Sequence, residues 1–136
     1  MKTAQIITKN SHLRENLCEL LDLGGFKVLA ADTNTGAFKE ALLHHPDIII
    51  CDMMMPETNG IMFWLLIKEE RTTHDIPIIF FSSIALPFSL YQLVNHENDI
   101  YLNNPFTPEE LFEAVDLCLK KADYGFSPPV EDFAVV

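Results

Sequence analysis

Apolar residues follow two rhythms along the chain, short solid runs and stripes at helical spacing, and the two alternate from end to end. Ala4–Thr8 (AQIIT), Phe26–Ala31 (FKVLAA), Asp47–Asp52 (DIIICD), Ile76–Ser82 (IPIIFFS) and Ile100–Leu102 (IYL) predict five strands. The third and fourth are apolar almost throughout, as in strands covered on both faces. Between the runs stand the stripes. Leu13, Leu17, Leu20 and Leu21 share one helical face behind Ser11, a candidate N-cap, and Gly24-Gly25 stop that helix. Phe38, Ala41 and Leu42 mark a second helix, capped from the turn DTNTG and ended by His44, His45 and Pro46. A third starts near Gly60 and runs to about Arg71, and a short one is expected from near Pro87. The last helix opens with Thr107 as N-cap, Pro108 at its first position and Glu110 three residues after the cap, a capping box. Leu111, Val115, Cys118 and Leu119 form its buried stripe.

Strand and helix in strict alternation imply a parallel sheet with helices on both faces, an α/β doubly wound architecture. No repeat or internal boundary interrupts the pattern. The expectation is one domain over residues 1–122, followed by a tail or linker at 123–136 that carries Phe126, Phe133, Val135 and Val136.

Composition narrows the function. A net charge of −11 disfavours direct nucleic-acid contact, which needs clustered Lys and Arg, and equally an anionic membrane surface. No window approaches the roughly 20 apolar residues of a membrane span, and the first residues lack a secretory leader pattern, so the expected location is cytoplasmic. Cys18, Cys51 and Cys118 are odd in number and far apart in sequence, which reads as buried thiols in a reducing compartment. His44-His45 have no Cys or acid at ligand spacing, so no metal is expected there.

In open parallel sheets, sites form beyond the carboxyl ends of the strands. Strand 1 ends at Thr8, Lys9 and Asn10, strand 3 at Asp52, strand 4 at Ser82-Ser83, and strand 5 at Asn103-Asn104 before Pro105. A single carboxylate therefore closes an otherwise apolar strand and faces hydroxyls, amides and one lysine. The bland alternatives stay open at this point. Asp52 can simply cap its own loop, Ser82 can bond backbone, Tyr101 can be an edge-strand aromatic, and Lys9 can be a solvated loop lysine or a direct partner for Asp52.

The stretches DIIICDMMMPETNG, IPIIFFSS, YLNNPFTPEEL and SHLRENLCELLDLGGF, in this order and at this spacing, resemble the receiver domain of two-component response regulators. The resemblance runs from Ala4 to about Lys121 and implies the flavodoxin-like sheet, strand order 2-1-3-4-5. It places Asp52 at the family's phosphoacceptor and the backbone of Met54 at its metal-ligand carbonyl. Ser82 falls on the hydroxyl that turns toward the phosphoryl group, and Tyr101 on the switch aromatic. Pro105 follows a bond that is usually cis in the family.

The departures are at the chemistry. Where the family carries two acids after strand 1, this chain has Thr8 and Lys9, and where it carries a lysine before the proline, this chain has Asn104. Mg2+ needs oxygen ligands and carboxylate charge to give up its water. A unit-charge contact at about 4 Å and an effective dielectric near 20 is worth roughly 4 kcal/mol, so exchanging two attractions for a repulsion should abolish useful affinity. No cofactor is expected, the family's Mg2+ site being degraded.

The third helix, GIMFWLLIKEE, is apolar on every side. By resemblance Phe63, Trp64 and Ile67 point inward, leaving Met62, Leu65 and Leu66 where the family carries polar residues. A helix apolar all round is normally covered all round, here by a second copy (a homodimer), the tail or another protein. Phe88 and Tyr91 would add to an interface near the fourth helix.

The expected function is thus an atypical receiver domain of a two-component phosphorelay. It is not an enzyme, it keeps the acceptor position but is phosphorylated weakly or not at all, and it contacts a histidine kinase or a downstream signalling protein. The alternatives are an ordinary phosphoacceptor or a small-molecule-binding or enzymatic flavodoxin-like domain. The last lacks support, because ITKNSHLR has no glycine to cradle a phosphate and no His or Cys at a strand end for acid–base or nucleophilic work.

Overall fold

The computed structural model describes residues 1–55, 60–82 and 99–124. Five parallel strands form one sheet, as the alternation of runs and stripes predicts, in the order β2-β1-β3-β4-β5 that the family resemblance implies. They are β1 (Thr3–Ile7), β2 (Lys27–Ala31), β3 (Ile48–Asp52), β4 (Ile78–Ser82) and β5 (Ile100–Asn103). The described helices are α1 (Ser11–Leu23), α2 (Asn34–His44), α3 (Gly60–Glu69) and α4 (Pro108–Tyr124). The short helix expected near Pro87, with Phe88 and Tyr91, and the segment 125–136 lie outside the described residues.

Side chains leave a strand on alternate faces, and the sheet divides its core accordingly. Ala4 and Ile6, Ile48 and Ile50, Ile79 and Phe81, and Ile100 and Leu102 pack with Leu17 and Leu21 of α1 and with Leu111, Ala114, Val115 and Cys118 of α4. On the other face Ile7, Ile49, Cys51, Ile78, Phe80 and Tyr101 pack with Ala37 and Ala41 of α2 and Phe63 and Ile67 of α3. Helices cover both faces, which is why the central strands could be read as unbroken apolar runs.

Element ends follow local chemistry. The N-cap of α1 is Asn10, not Ser11: Asn10 is extended, and its side-chain oxygen accepts from the Leu13 N–H at 3.1 Å. Thr33 caps α2 through the Gly36 N–H. The capping box of α4 forms in both directions, with Glu110 N–H on the Thr107 hydroxyl at 3.0 Å and Thr107 N–H on the Glu110 carboxylate at 2.9 Å. Helix α3 stops at Glu69, two residues before the expected Arg71, because the buried Thr73 hydroxyl donates to the Ile67 carbonyl and folds the chain into a turn.

Two glycines sit where helices close on the rest of the molecule. A Cβ on Gly60 would lie 3.0 Å from both the Cα and Sδ of Met53, so the start of α3 rests on the end of β3. A Cβ on Gly24 would lie 2.7 Å from the Phe112 ring of α4.

Candidate functional site

The carboxyl ends of β1, β3, β4 and β5 bring the predicted crevice residues together. Asp52, half-buried, ends β3 next to the end of β1, and both of its oxygens have donors. The Thr8 hydroxyl donates to Oδ2 at 2.9 Å, and the Met54 N–H donates to Oδ1 at 2.9 Å. The second bond is a local Asx-type cap, so the carboxylate does shape its own loop. Thr8 is fully buried, and its hydroxyl also accepts from the Asn10 N–H at 3.2 Å. Thr8, Asp52 and the cap of α1 thus form one connected unit.

Lys9 is exposed on the loop after β1. The ion pairs between described residues join Lys68 with Asp99 and His44 with Glu40. Asp52 takes a side-chain donor from the neutral hydroxyl of Thr8, which is buried just beyond the carboxyl end of the interior strand β1. Arg14, which the sequence reading passed over, reaches back from α1 to donate to the Thr8 carbonyl at 2.7 Å. Its position in the first turn of α1, beyond a strand end, was the available signal.

On the other side of β3, Ser82 is buried at the end of β4 and Tyr101 is 2% exposed. The Tyr101 hydroxyl is hydrogen-bonded to the Ser82 side chain. Burial pushes the Tyr101 phenol above its ordinary value, and that hydrogen bond pulls it part of the way back. Tyr101 is therefore an inward-facing core residue rather than a half-buried edge aromatic. The Asn104 N–H donates to the Ser82 carbonyl at 2.9 Å, and the Asn104–Pro105 bond is cis, as the resemblance implied. The Cys51 thiol, wholly buried, is raised well above its ordinary value by burial and then by the Asp52 charge. A thiol kept protonated in this way is no nucleophile.

On α3, Phe63 and Ile67 are buried and Trp64 partly so, as expected. Met62, Leu65 and Leu66 are 50%, 37% and 42% exposed, and Met54 at the crevice rim is 52% exposed.

A second polar cluster, at the opposite end of the sheet, was not foreseen. Asp99, directly before β5, is 3% exposed. Its Oδ2 accepts from the Trp64 indole N–H at 2.7 Å, and its Oδ1 from the Ile78 N–H at 2.8 Å. The Lys68 ammonium lies 3.1 Å from Oδ1 and also donates to the Ile76 carbonyl at 2.9 Å. A carboxylate abutting an apolar strand calls for partners, the same signal that singled out Asp52.

Comparison with known proteins follows from this geometry. The model of the family described as response regulator receiver domain matches residues 5–116. The phosphate regulon transcriptional regulatory protein PhoB of Pseudomonas aeruginosa is 30% identical over 131 residues, which is 96% of this chain and 57% of that protein. The transcriptional regulatory protein CpxR of Klebsiella pneumoniae is 31% identical over 126 residues, 92% of this chain and 52% of that protein. The chain spans about half the length of these curated relatives. A response regulator receiver domain protein from Clostridium thermocellum superposes with a TM-score of 0.82 at 22% identity, covering 93% of this chain and all of the other. The chemotaxis response regulator CheY4 of Vibrio cholerae gives 0.78 at 22% identity, covering 88% of this chain and 99% of that one. At such identities the likeness carries the fold alone.

Proposed function

The chain belongs to the response regulator receiver domain family, and we propose that within two-component signalling it is an atypical member, a protein-contact module whose Asp52 takes a phosphoryl group poorly or not at all. The observation that carries this reading is the set of groups around Asp52. Among the described residues one carboxylate stands there, its oxygens bonded by Thr8 and Met54, and the positions just after β1 supply a buried hydroxyl and a lysine.

Mg2+, which the family implies, asks for an oxygen cage with enough negative charge to displace its water. The chain offers it Asp52, the Thr8 hydroxyl and nearby backbone carbonyls, and with Lys9 in the loop this donor set does not fit the ion. Without a cation the charge that develops on a transferring phosphoryl group must be met by protein donors. The residue before Pro105, a lysine in the family, is here the neutral Asn104.

The Ser82–Tyr101 hydrogen bond, with Tyr101 buried, supports a domain held in one conformation. The exposed apolar positions of α3, Met62, Leu65 and Leu66, suit contact with a protein partner: a histidine kinase, a downstream signalling protein or a second copy of the chain. A cytoplasmic setting agrees with the absence, among the described residues, of a helix long and apolar enough to cross a membrane.

The test is incubation with acetyl phosphate and Mg2+, read by intact mass. The wild-type chain is expected to gain no stoichiometric adduct of about 80 Da. A variant with Thr8→Glu, Lys9→Asp and Asn104→Lys is expected to gain one. An adduct on the wild-type chain that Asp52→Asn abolishes would restore the ordinary phosphoacceptor.

A further inference from the structure

We propose that Asp99 is a positioning residue, a latch that clamps α3 to the start of β5 and thereby holds Tyr101 in its inward place against Ser82. The importance of this latch for function rests on the reading of the domain as a module of fixed conformation; its existence does not.

Two of the donors that Asp99 meets, the Trp64 indole and the Lys68 ammonium, come from α3, and the Ile78 N–H comes from β4. Donors from two elements, α3 and β4, therefore converge on one carboxylate that directly precedes β5 and is 3% exposed. A buried carboxylate that loses its partners suffers the full cost of its lost hydration. Any movement of β5 relative to α3 must break these bonds before it can make others. Lys68 strengthens the constraint, because the same ammonium holds the Ile76 carbonyl at the entrance to β4.

The link to Tyr101 is the strand itself. Residues two apart on a strand point to the same face, so Asp99 and Tyr101 both face α3. Tyr101 packs in the apolar layer that holds Phe63 and Ile67 of α3 and Phe80 of β4, with Trp64 against its margin. Asp99 accepts from the Ile78 N–H at the start of β4, and the registered pairs Ile79–Ile100 and Phe80–Tyr101 follow. A short strand pinned at the residue directly before it cannot roll to carry Tyr101 outward. The sheet thus has a polar clamp at each end of one face, Asp99 with Trp64 and Lys68 at the amino end and Ser82 with Tyr101 at the carboxyl end.

The experiment uses the full chain labelled with 3-fluorotyrosine, whose three tyrosines give separate 19F signals. Tyr101 is assigned with Tyr101→Phe, and its solvent contact is read from the relaxation caused by a soluble paramagnetic agent. The main variant is Asp99→Leu with Lys68→Met, which removes both charges together and leaves neither buried alone. Asp99→Asn is the milder second variant, and it decides the matter where the double variant does not fold. Thr107→Ala, which loosens only the cap of α4, serves as a control for general destabilisation.

The expected result is a several-fold rise in solvent relaxation at Tyr101 in the latch variants, with cooperative unfolding retained and no rise in Thr107→Ala. A Tyr101 signal as protected in the latch variants as in the wild-type chain, or one equally exposed in Thr107→Ala, would overturn the latch. Phosphoryl uptake by the wild-type chain overturns the functional reading alone, while an unmoved Tyr101 overturns the latch alone.

Discussion

At the scale of single residues, the account turns on two carboxylates, Asp52 at the carboxyl end of the sheet and Asp99 at its amino end. Asp52 was legible in the sequence because an acid ending an apolar run is conspicuous, and the strand-end rule of parallel sheets then gathered Thr8, Ser82 and Asn104 around it. Which of the two residues just after β1 would touch it was not legible. The structure buries Thr8 at the carboxyl end of the sheet and gives its hydroxyl to Asp52. Asp99 was overlooked because its partners come from residues 21 to 35 positions away. Its titration gives a signed prediction. Burial pushes the Asp99 carboxyl above its ordinary value of 3.8, against the lowering effects of Lys68, Trp64 and the Ile78 N–H. Just above pH 3.8 the folded chain then holds a proton that the unfolded chain has released. This group's contribution to stability is complete below the unfolded value and is lost as pH rises through the raised native value. In urea titrations at a series of pH values, wild-type stability relative to Asp99→Asn should therefore fall as pH rises from about 4, and a rising difference would contradict the assignment. Gly60 gives a second prediction. With a Cβ 3.0 Å from the Met53 Cα, Gly60→Ala forces the start of α3 off β3 and should cost about 1–3 kcal/mol by urea unfolding.

At the scale of elements, periodicity carried most of the fold. The five strands and the described helices stand where the apolar runs and stripes put them, to within one or two residues at the ends. Ends moved where a side chain outside the pattern intervened, as Thr73 did at the close of α3 and Asn10 at the opening of α1. The last helix was the most readable, since Thr107, Pro108 and Glu110 each favour the same start and the reciprocal bonds form. Thr107→Ala should lose about 1 kcal/mol of stability, with the urea midpoint lowered and the slope unchanged. Helix α3 was readable in its inward face and in its exposed one. Phe63 and Ile67 fill the core, while Met62, Leu65 and Leu66 present apolar surface where a protein contact would find it.

At the scale of the whole molecule, the sheet separates two ends with different chemistry. The carboxyl end carries the Asp52 crevice, where the connections are hydroxyl and amide bonds. The amino end carries the Asp99 cluster, where a buried ion pair joins α3 to β4 and β5. The fold is that of the response regulator receiver domains, and the proposal is that the chain departs from the family where a cation would be held. The central claim is that this crevice does not hold a divalent ion, and it is tested most directly by titrating Mg2+ into the full chain while following backbone amide shifts. The account predicts no saturable shift at Thr8, Lys9, Met54 or Asn104 through millimolar Mg2+. Saturable shifts at these amides that vanish in Asp52→Asn would contradict it.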